Sequence, residues 1–131
     1  MSLELQLLCM SIILGFVHIL LASHSASLQR GYRWTASARD EVRPPLTGMA
    51  GRLARAQMNF LETFPFFAAL VLVIHVTGAY GALSKWGVLL YFGGRLVYLP
   101  LYASGVYIVR SLVWNVATAG IFLLLASALL H

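Results

Sequence analysis

The chain has 131 residues, of which 60% are hydrophobic and only 10% are charged, and its mean hydropathy is +0.84. A soluble domain carries about 25% charged residues, so the composition excludes an ordinary soluble enzyme and a disordered chain. The net charge is +5, and nine of the charged residues fall between Arg30 and Glu62. Because basic residues beside membrane segments typically contact anionic lipids or mark the cytoplasmic side, we expect membrane lipids rather than nucleic acid as partners.

Four apolar segments in chain order predict four transmembrane helices, since about 20 apolar residues cross a bilayer. These helices are expected over residues 3–26, 49–76, 82–103 and 108–130. The polar stretch 28–48 contains paired prolines, which cannot continue a helix, and is expected to be a loop. The other connections are short, which favours antiparallel neighbours. The sequence therefore predicts an all-α fold: one integral membrane domain over residues 1–131, built as an antiparallel four-helix bundle.

The arginines indicate the orientation of these helices. The loop 28–48 contains Arg30, Arg33, Arg39 and Arg43, whereas the opposite side has only Lys85. The positive-inside rule then predicts that this loop faces the cytoplasm and that both chain termini lie on the other side.

Two neighbouring helices each carry one narrow polar stripe. On the second predicted helix the helical period places four polar residues within an arc of about 80°, namely Arg52, Arg55, Asn59 and Glu62. On the third it places four more within about 60°, namely Tyr91, Arg95, Tyr98 and Tyr102. The two stripes are expected to face each other and to line a polar cavity open to the cytoplasm.

The depth of each polar residue in the membrane predicts which residues of the two stripes lie opposite each other. The second helix is expected to enter the membrane near Arg55 and the third to leave it near Tyr102. Glu62 and Arg95 each lie seven residues, or about 10 Å, from those points, so we expect these two side chains to meet. One level shallower, Asn59 should face Tyr98, and Arg55 should face Tyr102. Three arginines against one glutamate leave a positive field, which favours an anionic ligand.

Simpler interpretations remain open for several of these residues. Glu62 and Arg95 could form an ion pair that only holds two helices together, and Arg52 and Arg55 could extend to lipid phosphates. No metal site is predicted, because His18 and His24 project about 240° apart on one helix. The pair Gly93-Gly94 is expected to permit a close approach between helices.

The polar stripes also carry a family resemblance. The run RLARAQMNFLETFPF, which begins at Arg52, resembles the pattern R-x-x-R-A-x-x-N-x-x-E-x-x-P of the membrane-associated proteins in eicosanoid and glutathione metabolism, the MAPEG family. This family includes microsomal glutathione transferases, leukotriene C4 synthase and microsomal prostaglandin E synthase. The run RLVYLPLYASG from Arg95 and the later pair Arg110-Ser111 are similar to the family's third and fourth helices.

The resemblance implies a homotrimer with glutathione bound between subunits near the cytoplasmic side. It implies glutathione contacts from Arg55, Asn59, Glu62, Tyr98 and Tyr102, with Arg52 and Arg95 in support. Gln57 lies off the stripe and would act from a neighbouring subunit. Arg110 matches the arginine that activates the thiol, and Ser111 is a candidate assistant. The expected reaction is attack of the glutathione thiolate on a lipophilic electrophile, with lipid-hydroperoxide reduction as an additional activity and no cofactor beyond glutathione.

Two other functions are compatible with the composition. A small four-helix transporter would have a similar length, but such transporters usually need a membrane-embedded acid, and the first predicted helix has none beyond Glu4. A non-catalytic lipid-binding scaffold could share the whole fold. Saturable glutathione binding distinguishes the enzyme from both alternatives.

Overall fold

The computed structural model describes residues 1–131 and contains helices and connections without any strand. Four long helices and one short helix follow each other: α1 (Leu3–Arg30), α2 (Tyr32–Ala36), α3 (Gly48–Thr77), α4 (Ala82–Ala103) and α5 (Ile108–Leu129). The four long helices begin and end close to the predicted bounds, except that α1 continues to Arg30. The chain leaves α1 at Gly31, whose φ of 98° is readily adopted only by glycine.

The predicted loop 28–48 is wrong in part, because α2 lies inside it. Trp34 in α2 donates a hydrogen bond from Nε1 to the Glu41 backbone oxygen at 2.7 Å. The guanidinium carbons of Arg30 and Arg39 lie 5.3 and 5.8 Å from the Trp34 ring centroids. A helix of five residues is too short to be stable alone, so these contacts around one tryptophan stabilise it.

The core consists of two apolar clusters between α1, α3, α4 and α5. Aromatic rings connect them along α3: Phe60, Phe64 and Phe67 contact in sequence, and Phe67 stacks on Tyr91 of α4 with ring centroids 4.0 Å apart. His18 of α1 is buried and stacks on Phe60 at 4.9 Å. The stack fixes α3 against α1 and α4, and so determines which residues of α3 face outward.

The closest helix pair is α4 with α5, which meet through small residues. A Cβ atom added at Gly120 would lie 2.6 Å from the Gly87 backbone oxygen, and one at Gly94 would lie 2.9 Å from the Ala117 Cβ. The predicted close approach is therefore confirmed at Gly94. It is wrong at Gly93, where an added Cβ would meet no atom within 4 Å.

Three helices, α1, α3 and α5, are long and apolar enough to cross a membrane. The sequence predicted four such helices, and α4 is the one that differs. Its 22 residues are long enough to cross a bilayer, but Lys85, Arg95 and several tyrosines lower its hydropathy. The polar residues of α4 are therefore candidates for a functional site.

Candidate functional site

Polar side chains connect α3 and α4 at four successive levels. The contacts are Arg52 Nε to the Ala103 backbone oxygen at 2.8 Å, Arg55 Nε to the Tyr102 hydroxyl at 3.1 Å, Arg95 Nη1 to Asn59 Oδ1 at 2.7 Å, and the Thr63 hydroxyl with the Tyr91 hydroxyl at 3.1 Å. Residue numbers rise along α3 as they fall along α4, so the two helices run antiparallel here. The predicted facing stripes are therefore present, and the pair Arg55–Tyr102 is confirmed.

The predicted pairing of Glu62 with Arg95 is wrong. Arg95 is 1% exposed and bonds to Asn59, whereas the only ion pair in the chain joins Arg43 to Glu41. Thr63 is the residue that meets α4 at this depth. Because successive helical residues project about 100° apart, Glu62 is turned out of the α3–α4 contact and is exposed. Asn59 takes its place as the partner of Arg95.

Two open clefts lie beside this row of contacts. The first, here the α5 cleft, has a volume of about 390 Å³ and is lined by Asn59, Tyr98, Tyr102, Arg110, Ser111, Trp114 and Asn115. The second, here the α3 cleft, has about 340 Å³ and is lined by Ala54, Arg55, Met58, Asn59, Glu62 and Tyr102. Asn59 and Tyr102 line both clefts, so the two spaces adjoin at these side chains.

The electrostatics of the two clefts favour an anionic ligand. Arg110 has its guanidinium carbon 4.6 Å from the Tyr102 ring centroid, and Arg55 lies 5.9 Å from the same ring. The Tyr102 hydroxyl accepts a hydrogen bond from Arg55, so its own hydrogen is free to donate. Two guanidinium groups and one carboxylate, Glu62, leave a net positive charge around the clefts.

A family model for the MAPEG family matches residues 7–130 of the chain. The chain belongs to the MAPEG family. A search of curated proteins found no match. Together with the three helices that are apolar enough to cross a membrane, the family membership identifies a membrane protein. It also indicates a role connected with glutathione or eicosanoid metabolism.

Most of the residues that the MAPEG resemblance singled out surround the two clefts. Arg55, Asn59, Glu62, Tyr98, Tyr102, Arg110 and Ser111 all line one cleft or both. Arg95 lies behind them, with its guanidinium carbon 4.3 Å from the Tyr98 ring centroid. Arg52 lines neither cleft, because its side chain bonds to the carbonyl end of α4. Arg52 therefore stabilises the α3–α4 contact at the end of the row.

Gln57 of this MAPEG protein lies in a different place from the other predicted residues. It lines a third cleft of about 300 Å³ together with Arg30, Trp34 and Arg39. This cleft is formed by α1, α2 and an adjacent face of α3, and it adjoins the α3 cleft at Ala54, which lines both. Gln57 itself does not line the α3 cleft.

Ser111 of α5 lines the α5 cleft, but its hydroxyl is already engaged. Ser111 Oγ donates a hydrogen bond to the Tyr107 backbone oxygen at 3.0 Å. In this rotamer the oxygen of Ser111 can accept a hydrogen bond from a ligand, whereas donation to an anion requires the side chain to rotate.

Two residues of the α5 cleft were missed by the sequence reasoning. Trp114 and Asn115 follow Arg110 and Ser111 by four positions each, so they lie on the same side of α5. Asn115 also donates from Nδ2 to the Ser111 backbone oxygen at 2.9 Å. The four-residue spacing in the sequence was the signal that could have identified both.

Proposed function

We propose that this MAPEG protein is a glutathione-dependent membrane transferase that activates the glutathione thiolate for attack on a lipophilic electrophile. The observation that carries the proposal is the contact of Tyr102 with both Arg55 and Arg110 where two clefts adjoin. This arrangement supplies several hydrogen-bond donors and one carboxylate to a single small ligand.

The chemistry of glutathione fits these groups. The peptide has two carboxylates and one amine. Guanidinium groups bind carboxylates with paired hydrogen bonds, which is the role we propose for Arg55. Glu62 is exposed in the α3 cleft without an ionic partner and would bind the amine. The hydroxyls of Tyr98 and Tyr102 would donate to the remaining oxygens.

Arg110 and Ser111 are the proposed catalytic pair. A free thiol has a pKa of about 8.5, and a nearby cation lowers it and increases the thiolate fraction. Arg110 provides that cation in the α5 cleft. The thiol first releases its proton to water. The sulfur then forms a bond to the electrophilic carbon as the bond from that carbon to its leaving group breaks, and the leaving group departs with the electron pair and takes up a proton from water. The protein contributes orientation and stabilisation of the anion. Reduction of lipid hydroperoxides is part of the proposal: two glutathione molecules are oxidised to the disulfide while the hydroperoxide is reduced to an alcohol and water.

The position of Gln57 supports a homotrimer. Gln57 lies outside the α3 cleft, in the adjoining cleft between α1, α2 and α3, so it could contact the glutathione of an adjacent subunit when subunits pack side by side. We propose a trimer of antiparallel four-helix bundles, each one domain over residues 1–131, in which α4 is the fourth membrane-spanning helix. The arginine-rich segment 28–48 and the clefts would face the cytoplasm, and the termini would lie on the opposite side.

Equilibrium binding of glutathione to the purified protein tests the proposal. We expect saturable binding, weakened at least about tenfold in Arg55→Ala and in Glu62→Ala, because each removes a charged hydrogen bond. Arg43→Ala is the matched control, since Arg43 bonds to Glu41 outside the clefts. A transporter or a lipid-binding scaffold predicts no saturable binding, and that result would refute the proposal.

A further inference from the structure

Arg95 is a buried cation with a single hydrogen bond. It is 1% exposed, and its only hydrogen bond runs from Nη1 to Asn59 Oδ1 at 2.7 Å. Its Nε and Nη2 atoms are buried without partners. The rings of Phe60 and Tyr98 lie 5.4 and 4.3 Å from the guanidinium carbon. Asn59 is thus the one polar group that satisfies this cation.

The chemistry of the two side chains fixes the direction of the Asn59 amide. A guanidinium has only donors, whereas an amide has an oxygen acceptor on one side and an NH₂ donor on the other. Asn59 must therefore turn its oxygen toward Arg95, and its Nδ2 atom faces away. Nδ2 makes no hydrogen bond within the chain, and Asn59 lines both the α5 and α3 clefts.

We propose that Arg95 is a positioning residue that holds Asn59 as a hydrogen-bond donor toward the bound peptide. The inference rests on the proposed function and deepens it. The ligand atom opposite Asn59 must then be an acceptor, such as a carboxylate oxygen, a peptide carbonyl or the thiolate.

Burial makes this orientation rigid. If the amide turned over, its NH₂ group would face the guanidinium, and Arg95 would lose its only hydrogen bond while remaining away from water. A buried polar group without a partner is costly, and a charged one is more costly still. An exposed arginine could exchange Asn59 for water, but Arg95 cannot. Asn59 therefore presents a hydrogen-bond donor to the α5 and α3 clefts whenever a ligand is bound.

The substitution Asn59→Asp separates this role from a purely structural one. Aspartate keeps an oxygen for Arg95 but directs a second oxygen, instead of NH₂, toward the ligand. We expect the variant to keep its thermal unfolding midpoint in detergent and to bind glutathione about 10- to 100-fold more weakly, because one donor to an anion is replaced by an acceptor. Binding equal to that of the wild type would refute the inference.

Two variants of Arg95 form the matched comparison. Arg95→Lys remains donor-only and should retain most of the glutathione affinity. Arg95→Gln offers both a donor and an acceptor, so the Asn59 amide can adopt either orientation and affinity should fall more. Equal binding by the two variants would indicate that Arg95 only fills space, and would overturn the inference.

A measurement without glutathione keeps the two proposals distinguishable. Asn59→Asp should lower the unfolding midpoint in the Arg95→Gln background but not in the Arg95 background, because only arginine offers the introduced carboxylate an ionic partner. Equal destabilisation in both backgrounds contradicts the Arg95–Asn59 contact itself. Failure of the wild type to bind glutathione would instead refute the proposed function, while this stability cycle would still test the orientation of Asn59.

Discussion

Arg55 of α3 donates a hydrogen bond from Nε to the hydroxyl of Tyr102 in α4, over 3.1 Å. The same tyrosine ring lies 4.6 Å from the guanidinium carbon of Arg110 in α5. Tyr102 therefore connects three helices at the point where the α3 and α5 clefts adjoin. Its hydroxyl accepts from Arg55 and can still donate to a ligand, so a single atom serves both the protein and the proposed peptide.

The variant Tyr102→Phe removes this hydroxyl and keeps the ring beside Arg110. We expect glutathione affinity to fall about tenfold, since a donor to an anionic ligand is lost and Arg55 loses its acceptor. The thiolate fraction of bound glutathione should change little. Calorimetry and ultraviolet absorbance of the thiolate measure the two quantities. Tyr107→Phe is the control, because Tyr107 is exposed and lines neither cleft. Equal losses in both variants would contradict the role of Tyr102.

Arg110→Ala should affect the thiolate fraction more than the affinity for glutathione, which is the reverse of the effect expected for Tyr102→Phe. With the cation removed from the α5 cleft, the pKa of the bound thiol returns toward its value in solution. The thiolate absorbance at neutral pH should then fall more than the affinity for glutathione does. Turnover should decrease at least about tenfold and recover in part as the pH rises. Arg110→Lys keeps the charge and should retain a measurable thiolate signal. An unchanged signal in Arg110→Ala would remove Arg110 from the mechanism.

Ser111→Ala should have a much smaller effect than Arg110→Ala. The Ser111 hydroxyl donates to the Tyr107 backbone oxygen, so it stabilises a thiolate only after that hydrogen bond is broken. A hydrogen bond to an anion contributes about 1.5–3 kcal/mol, but breaking the neutral one to Tyr107 costs about 0.5–1.5 kcal/mol. The net contribution of roughly 1.5 kcal/mol limits the decrease in turnover to about tenfold. Steady-state rates of both variants at saturating glutathione check the comparison. A decrease in Ser111→Ala as large as that in Arg110→Ala would show that the hydroxyl rotates into the cleft during the reaction.

The fold was largely predictable because hydrophobic patterning determines long membrane helices. The bounds of α3, α4 and α5 lie within about two residues of those expected from apolar length. Helix α2 was not predictable, because five residues have no strong pattern and their helix depends on contacts of Trp34 with Arg30 and Arg39, which lie outside the helix. The sequence prediction overestimated the apolar character of α4, because it relied on the length of the segment, which is sufficient to cross a bilayer.

The candidate site was predictable to the level of helix faces but not of individual pairs. Equal depth correctly placed Arg55 against Tyr102. It failed for Glu62, because a difference of one residue rotates a side chain by about 100°. The stacking of Phe67 on Tyr91 fixes the rotation of α3 about its axis, and a helical-wheel projection of the sequence does not contain such packing. Asn59 consequently takes the place that depth alone assigned to Glu62.

Neighbouring glycines of α4 provide a test of how α4 and α5 hold the α5 cleft together. Gly94→Ala would bring a Cβ within 2.9 Å of the Ala117 Cβ and 3.2 Å of the Ala117 backbone nitrogen, so the two helices must separate. We expect a loss of about 1–3 kcal/mol in stability, as for other overpacked sites, together with weaker glutathione binding as Arg110 moves away from Tyr102.

Gly93→Ala is the control, because a Cβ added there meets no atom within 4 Å. It should be neutral or stabilise the helix by about 0.5–1 kcal/mol. Thermal unfolding in detergent and glutathione calorimetry on both variants measure the difference. Because both variants make the same chemical change at adjacent positions, equal stabilities would show that α4 and α5 are not in close contact at Gly94.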